Sequence, residues 1–367
     1  MTIIETERVV ASAPRLDIVD CDIHPALSTV TAELYPFMSK RWSEEYETNG
    51  PRVGSPFIKA VPYPRLTPGN GMRGDAWPAN GGPPGSDLGL MREQLLDAYG
   101  ISCGILYPIV ASFLNQGLAA AVCSAANEWE LAKWLGPEPR LRGSLCVTPE
   151  DPDSAIAEIE KHAGNRAFVQ VAFTPRTLEP LGRKRYWPVL EAAAAANLPV
   201  ALHADVGGKR ANSGAGWFAT YWEEHVAYVF SMQTLITSLI MEGAFERVPN
   251  LKIVAVEGGF GWAPSLGWRL DKNWERMRKE VPHVKRPPSE YMREHVWYTT
   301  QPIEEPENRD DLADTIRWIG ADRLLFSTDY PHWDFDDPRY AIKARLSKED
   351  EQAIFAGNAR KLYRLNA

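Results

Sequence analysis

Four cysteines in 367 residues, with no CxxC pair among them, are too few and too scattered for a disulfide framework or a zinc ribbon. Cys21, Cys103, Cys123 and Cys146 read instead as small buried thiols. No stretch approaches the roughly 20 apolar residues that a membrane span needs. The opening MTIIETERVVASAPRL lacks a cationic region followed by an apolar run, so no secretory leader is expected and the default location is cytoplasmic. Lysine and arginine form no basic stripe, and the formal charge is -8. Nucleic acid and anionic membranes are therefore excluded as expected partners. There is no internal repeat and no linker that would divide the chain into two cores, so residues 1–367 are expected to form one domain.

What is present is a long alternation. Eight nearly continuous apolar runs (LDIVDCDI, SCGILY, RGSLCV, AFVQVAF, PVALHA, LKIVAV, VWYTT and RLLFST) read as strands covered on both faces. Helical patterns lie between them: LMREQLLDAYG, Gln116–Leu135, Asp151–His162, Glu191–Ala196, Glu223–Glu242, Ser265–Lys279 and Asp310–Ile319. Asp337–Arg345 and a final helix beginning at Ser347 follow the last strand. This order predicts an α/β fold of parallel units, a (β/α)8 TIM barrel. Two stretches depart from it. Residues of about 27–88, rich in Pro, Gly and aromatics, form an insertion after the first strand, expected to lie as a lid over the C-terminal face. GGKRANSGAGWF follows the fifth strand.

The chemistry collects at strand ends. Asp22 and His24, two apart, face the same side of the first strand and suit a divalent ion such as Zn, Mn or Fe. Alone, such a pair is common. His203 closes the fifth strand, Glu257 the sixth and Asp329 the eighth, and each has an ordinary explanation as a hydrogen-bonded core group, a rim ion pair or a cap. Acid and imidazole groups at four strand ends of one rim are hard to explain separately. His332, three residues past Asp329, stands on the exit loop. His225 lies near Trp217 and Trp222 and is a candidate for the pocket. Arg73, Asp75 and Trp77 form a polar-aromatic group that a lid could present to substrate, with Arg73 and Trp77 as substrate contacts. Gly258 and Gly259 allow a tight turn. His162, His283 and His295 fall in exposed-looking contexts and read as uninvolved.

The motifs VDCDIHP, GPPGSDLGLMREQLLDAYGI, SLIMEGAFERVPNLKIVAVEGGFGW, TTQPIEEPE, LLFSTDYPHWD and GNARKLY resemble the amidohydrolase superfamily. They are most similar to its amidohydrolase-related branch, which contains aminocarboxymuconate semialdehyde decarboxylase. The resemblance implies a single divalent metal held by Asp22, His24, His203 and Asp329, with Asp22 replacing the first histidine of the usual His-x-His. Asp329 would also move a proton. A homodimer is implied in the same way. Where the decarboxylases often carry a histidine on strand six, this chain has Glu257, which cannot offer a cationic hydrogen bond to a carboxylate. Glu257, Asp329 and His332 are therefore the expected catalytic groups. The leading expectation is hydrolysis of an amide, ester or C–C bond of a small substrate by metal-activated water. The alternative is nonoxidative decarboxylation of an aromatic or unsaturated acid. A metal-free glycosidase using Glu257 with Asp329 would leave both histidines idle. A non-catalytic binding barrel leaves the whole ligand set idle.

Overall fold

A computed structural model describes residues 16–49, 71–110, 113–173, 177–204, 216, 218 and 220–365. Its strands are β1 (Ile18–Ile23), β2 (Ile101–Leu106), β3 (Leu141–Val147), β4 (Phe168–Phe173), β5 (Val200–His203), β6 (Ile253–Val256), β7 (Val296–Thr299) and β8 (Leu324–Leu325). They lie parallel, side by side in chain order. An open sheet would leave two rows of unpaired backbone groups, and closure pairs them. The Cys21 amide donates to the Phe326 carbonyl at 2.9 Å, the Asp329 amide to Asp22 at 3.1 Å and the His24 amide to Tyr330 at 2.8 Å. The result is the expected barrel.

Alternation along the strands divides the core in two. Val254 and Val256 fall in one buried cluster with Val19, Cys21, Ile105, Ala201 and Leu325. Ile253 and Ala255 fall in the other, packed against helices. All four cysteines are buried and free. The helices start where the sequence supplies caps. Asn115, Asp151, Asn308 and Ser347 each accept a backbone N–H in the first turn of the helix that follows. Such a cap is worth about 1 kcal/mol. Among the described residues, no helix is long and apolar enough to cross a membrane.

Four expectations need correction. Asp337–Arg345 is not helical; Pro338 disfavours the helical conformation at the residue before it, and Asp337 instead accepts the Arg339 amide at 2.9 Å in a turn. The expected helix over Glu223–Glu242 is two, Tyr221–Val226 and Tyr228–Met241, meeting at Ala227 with its ψ near flat at -5°. The eighth strand pairs over two residues only. Beyond it, side chains take over from the ladder: Thr300 Oγ1 accepts the Ser327 amide and Asp20 Oδ1 the Thr328 amide. Lastly, His162 and His295 are buried rather than exposed. His162 stacks edge-on against Phe168, and His295 lies on Phe245 with Nδ1 against the Leu251 carbonyl.

Of the insertion, residues 27–49 and 71–87 are described. GPRVGSPF, most of PYPRLTPGNG and most of GGKRANSGAGWF, Trp217 included, lie outside the described residues. The returning segment joins the loop after β8: the Arg73 amide donates to the Pro331 carbonyl and the Trp333 amide to Gly71, both at 2.9 Å. That places it at the end of the barrel where the strands finish.

Candidate metal centre

Each candidate ligand sits at or just past the C-terminal end of its strand. The pairing of β1 with β2 shifts register between Asp20 and Ile23, an irregularity of the kind that re-aims side chains. Asp22 and His24 follow it into one cluster. His24 Nδ1 lies 2.9 Å from the Tyr107 carbonyl, so it carries the proton and Nε2 keeps a lone pair. His203 Nδ1 is likewise bonded to the Ala204 carbonyl. The two Nε2 atoms face each other at 3.4 Å. Carboxylates close the ring: Asp329 Oδ1 is 2.9 Å and Asp22 Oδ1 3.3 Å from His24 Nε2, and Glu257 Oε2 is 3.2 Å from His203 Nε2.

Lone pairs facing lone pairs need a cation between them. Both Asp22 oxygens, Glu257 Oε2 and Asp329 Oδ2 are buried without a hydrogen-bond partner, an arrangement costly in itself. The electrostatics record the same strain. Burial, then the charges of Asp329 and Asp22, push the Glu257 carboxyl well above the ordinary range. Burial drives His203 down to about 4. For His24 burial also acts downward, but Asp22 and Asp329 outweigh it and raise the imidazole well above its usual value. Burial would raise Asp329, yet His332 and His24 hold it well below the carboxylate range. A divalent ion between the two Nε2 atoms would also meet the unpartnered Asp22 carboxylate, and the excess of carboxylate around it suits a harder ion. Atoms of Asp22, His24, His203 and Glu257 lie within 4.8 Å of one another, as do those of His24, Asp329 and His332. The donor set fits one metal.

The backbone is bent to this purpose. Glu257 and Asp329 adopt left-handed φ angles of 55° and 61°, which non-glycine residues occupy at a cost of about 1–3 kcal/mol. Thr299 Oγ1 accepts the Glu257 amide at 3.0 Å. Glu304 then fastens the turn after Glu257, accepting the Phe260 amide at 3.1 Å and the Gly261 amide at 2.9 Å. A Cβ on Gly259, itself at φ +61°, would meet Glu304 at 2.5 Å, so only glycine fits there.

The other predicted residues are distributed unevenly. His332 belongs to the site, its Nδ1 2.6 Å from Asp329 Oδ1. His225 lines a cleft of about 690 Å³ together with Glu257, Trp262 and Glu304. Arg73 pairs with Asp75 at 2.7 Å and lies over Phe335, and its Nη1 is buried without a partner. Trp77 is half exposed on the insertion. Sequence reasoning missed Tyr107, which acts through its carbonyl and leaves no side-chain signal. It also missed Asp334 and Gln301, described below, although both lie inside the motifs LLFSTDYPHWD and TTQPIEEPE.

The amidohydrolase family model matches residues 19–365, nearly the whole chain. The chain belongs to the amidohydrolase family. Within that family it is similar to a gamma-resorcylate decarboxylase of a Polaromonas species, 29% identical over 76% of this chain and 88% of that protein. Its fold matches 5-carboxyvanillate decarboxylase from Sphingomonas paucimobilis with a TM-score of 0.69, 21% identity and coverage of 96% and 100% of the two chains. It also matches a dihydroxybenzoic acid decarboxylase from a Polaromonas species, at TM-score 0.64 and 23% identity over 96% and 98%. That structure holds manganese and the inhibitor 2-nitroresorcinol. This amidohydrolase is thus an enzyme of the hydrolase or carboxy-lyase kind. The comparison reverses the order of the two expected activities, because the related names describe decarboxylation rather than hydrolysis.

Proposed function

We propose that this amidohydrolase is a divalent-metal-dependent, nonoxidative decarboxylase of an aromatic or unsaturated carboxylic acid. The observation that carries the reading is the meeting of two donor groups at His24, Asp22 with His203 and Glu257 in one and Asp329 with His332 in the other, their carboxylate oxygens orphaned, in a chain related along most of its length to decarboxylases. Asp22, His24, His203 and Asp329 would hold the ion, manganese being the precedent. When bound, it would supply a Lewis acid for a substrate oxygen.

The chain's own groups do the rest. Decarboxylation gives the ring carbon a proton as its bond to the carboxyl carbon breaks and carbon dioxide leaves. Asp329 stands in place for that transfer: Oδ1 lies beside His24 and is bonded to His332, and Oδ2 is buried without a partner. His332 orients it and shares the proton. Glu257, on the opposite side of His203, holds or moves a second proton where the resembling decarboxylases often carry histidine. The insertion, returning beside Pro331, would shield these steps from water. Trp77 would join it there, whereas Arg73 braces the lid through Asp75.

The test is product analysis in D₂O with manganese-loaded protein and a panel of hydroxybenzoates, including 2,6-dihydroxybenzoate and 5-carboxyvanillate. Stoichiometric carbon dioxide and one deuteron at the vacated ring carbon are expected. Consumption of any panel member with water added across a bond, and no carbon dioxide, would return the hydrolytic reading to first place.

A further inference from the structure

We propose that His225, held by Asp334 and Gln301, is the anion-binding residue of the cleft and receives a carboxylate oxygen of the substrate. The proposal rests on the decarboxylase reading only for taking an aromatic acid as ligand. The cleft beside Glu257 is lined by several acids, Glu304, Glu305 and Asp311 among them. Such a wall repels a carboxylate. Among the described residues that line it, His225 is the one basic side chain.

His225 is built to serve there. Its Nε2 lies 2.9 Å from Asp334 Oδ2, and both side chains are only 14% exposed. Gln301 Nε2 donates to the same Asp334 oxygen at 2.8 Å and to the Asp334 carbonyl at 3.3 Å, so the carboxylate is fixed from two sides. Tyr221, Tyr228 and Trp333 surround the imidazole, with ring centroids at 5.7, 5.2 and 5.9 Å. With Nε2 given to Asp334, the atom left for a ligand is Nδ1. Both nitrogens then donate, one to Asp334 and one to the substrate, as in an imidazolium. The pair also hangs from the loops that carry the reacting groups: Gln301 follows Thr299, which holds the Glu257 amide, and Asp334 follows Asp329 on the same loop. An imidazole from the helix Tyr221–Val226 thereby supplies what Glu257 cannot.

The test is calorimetric binding of 2,6-dihydroxybenzoate and of resorcinol, the same ring without the carboxylate, to manganese-loaded protein carrying Asp329→Asn, in which the acid is not consumed. His225→Gln should weaken the acid about tenfold or more and leave resorcinol within about twofold. Asp334→Asn, which keeps its shape, should act in the same direction and is read alone if the first variant does not fold. A background with His225 intact that binds the acid no better than resorcinol overturns the proposal, as do variants that alter both ligands equally or neither. Because binding is measured in a background without turnover, wild-type protein that releases no carbon dioxide, with an acid site that still needs His225, sinks the decarboxylase reading and keeps the anchor.

Discussion

Buried acids at the two ends of this barrel obey opposite rules. Where β3 begins, Glu138 is 3% exposed and fully matched. Its oxygens accept from Arg140 at 2.9 and 3.0 Å, from the Arg140 amide at 3.1 Å and from Arg92 at 2.7 Å. Arg140 chiefly, with burial opposing, holds its carboxyl down to about 2. Where the strands finish, Asp22, Glu257 and Asp329 are as deeply buried, and oxygens on each lack any donor. Pairing with arginine completes a carboxylate and ends its chemistry. Leaving it incomplete costs stability and keeps it available for a cation, a proton or a substrate.

The largest test of that contrast is Asp329→Asn. The amide keeps the shape and loses the proton acceptor, so turnover should fall by about a thousandfold or more while the melting temperature stays near wild type. Activity close to wild type would remove the distinction between the two ends. Next come the metal contacts. Asp22→Ala should drop bound manganese, read by elemental analysis, below about a tenth of an equivalent. Glu257→Gln should slow turnover and keep the metal. Loss of the ion from the glutamine variant would make Glu257 a ligand rather than a proton carrier, which its place 3.2 Å from His203 also allows.

How much of this was legible in the chain differs between the same two regions. The barrel follows from eight apolar runs, because strands buried on both faces must be apolar and period alone marks them. Asp22, His24, His203, Glu257 and Asp329 stood out because each breaks such a run at its end. His332 was legible as a neighbour of Asp329. The Glu138 network was not, since charged residues outside strands look alike whether solvated or paired. Arg73 is hard to read for a related reason: arginine suits an anion anywhere, and only coordinates reveal that Asp75 engages its Nε and Nη2. The helix expected over Asp337–Arg345 failed because composition outweighed Pro338. Asp334 and Gln301 act through each other and through His225, contacts spanning 33 and 109 positions that no local pattern encodes.

Glu138→Ala gives a smaller effect of the opposite kind. Unfolding by urea should show a loss of about 2 kcal/mol, from charged hydrogen bonds and a stranded Arg140, with turnover unchanged. Its acid limb is predictable too. A carboxyl held lower in the fold than in the open chain stabilises above the open-chain value. That contribution should fade as pH drops from 4.5 through about 2, and the alanine variant should lack it.

The smallest effect belongs to Glu130, and it decides whether an unmatched acid alone marks a site. Glu130 ends the helix Gln116–Glu130, is fully buried, and has no hydrogen-bond partner for either oxygen beyond a weak approach of the Ser144 amide. Burial pushes its carboxyl well above the ordinary value. Among the described residues, Glu130 belongs to neither metal-capable cluster. It should therefore hold a proton rather than a metal. A carboxyl raised in the fold leaves stability intact below the open-chain value and erodes it as pH climbs toward the folded one. Glu130→Gln should remove that erosion, gaining about 1 kcal/mol at alkaline pH, and leave turnover and manganese content untouched. If the substitution cost activity, incompleteness by itself would be the signal. If not, the signal is convergence, several unmatched groups meeting in one cluster, which among the described residues only the rim possesses.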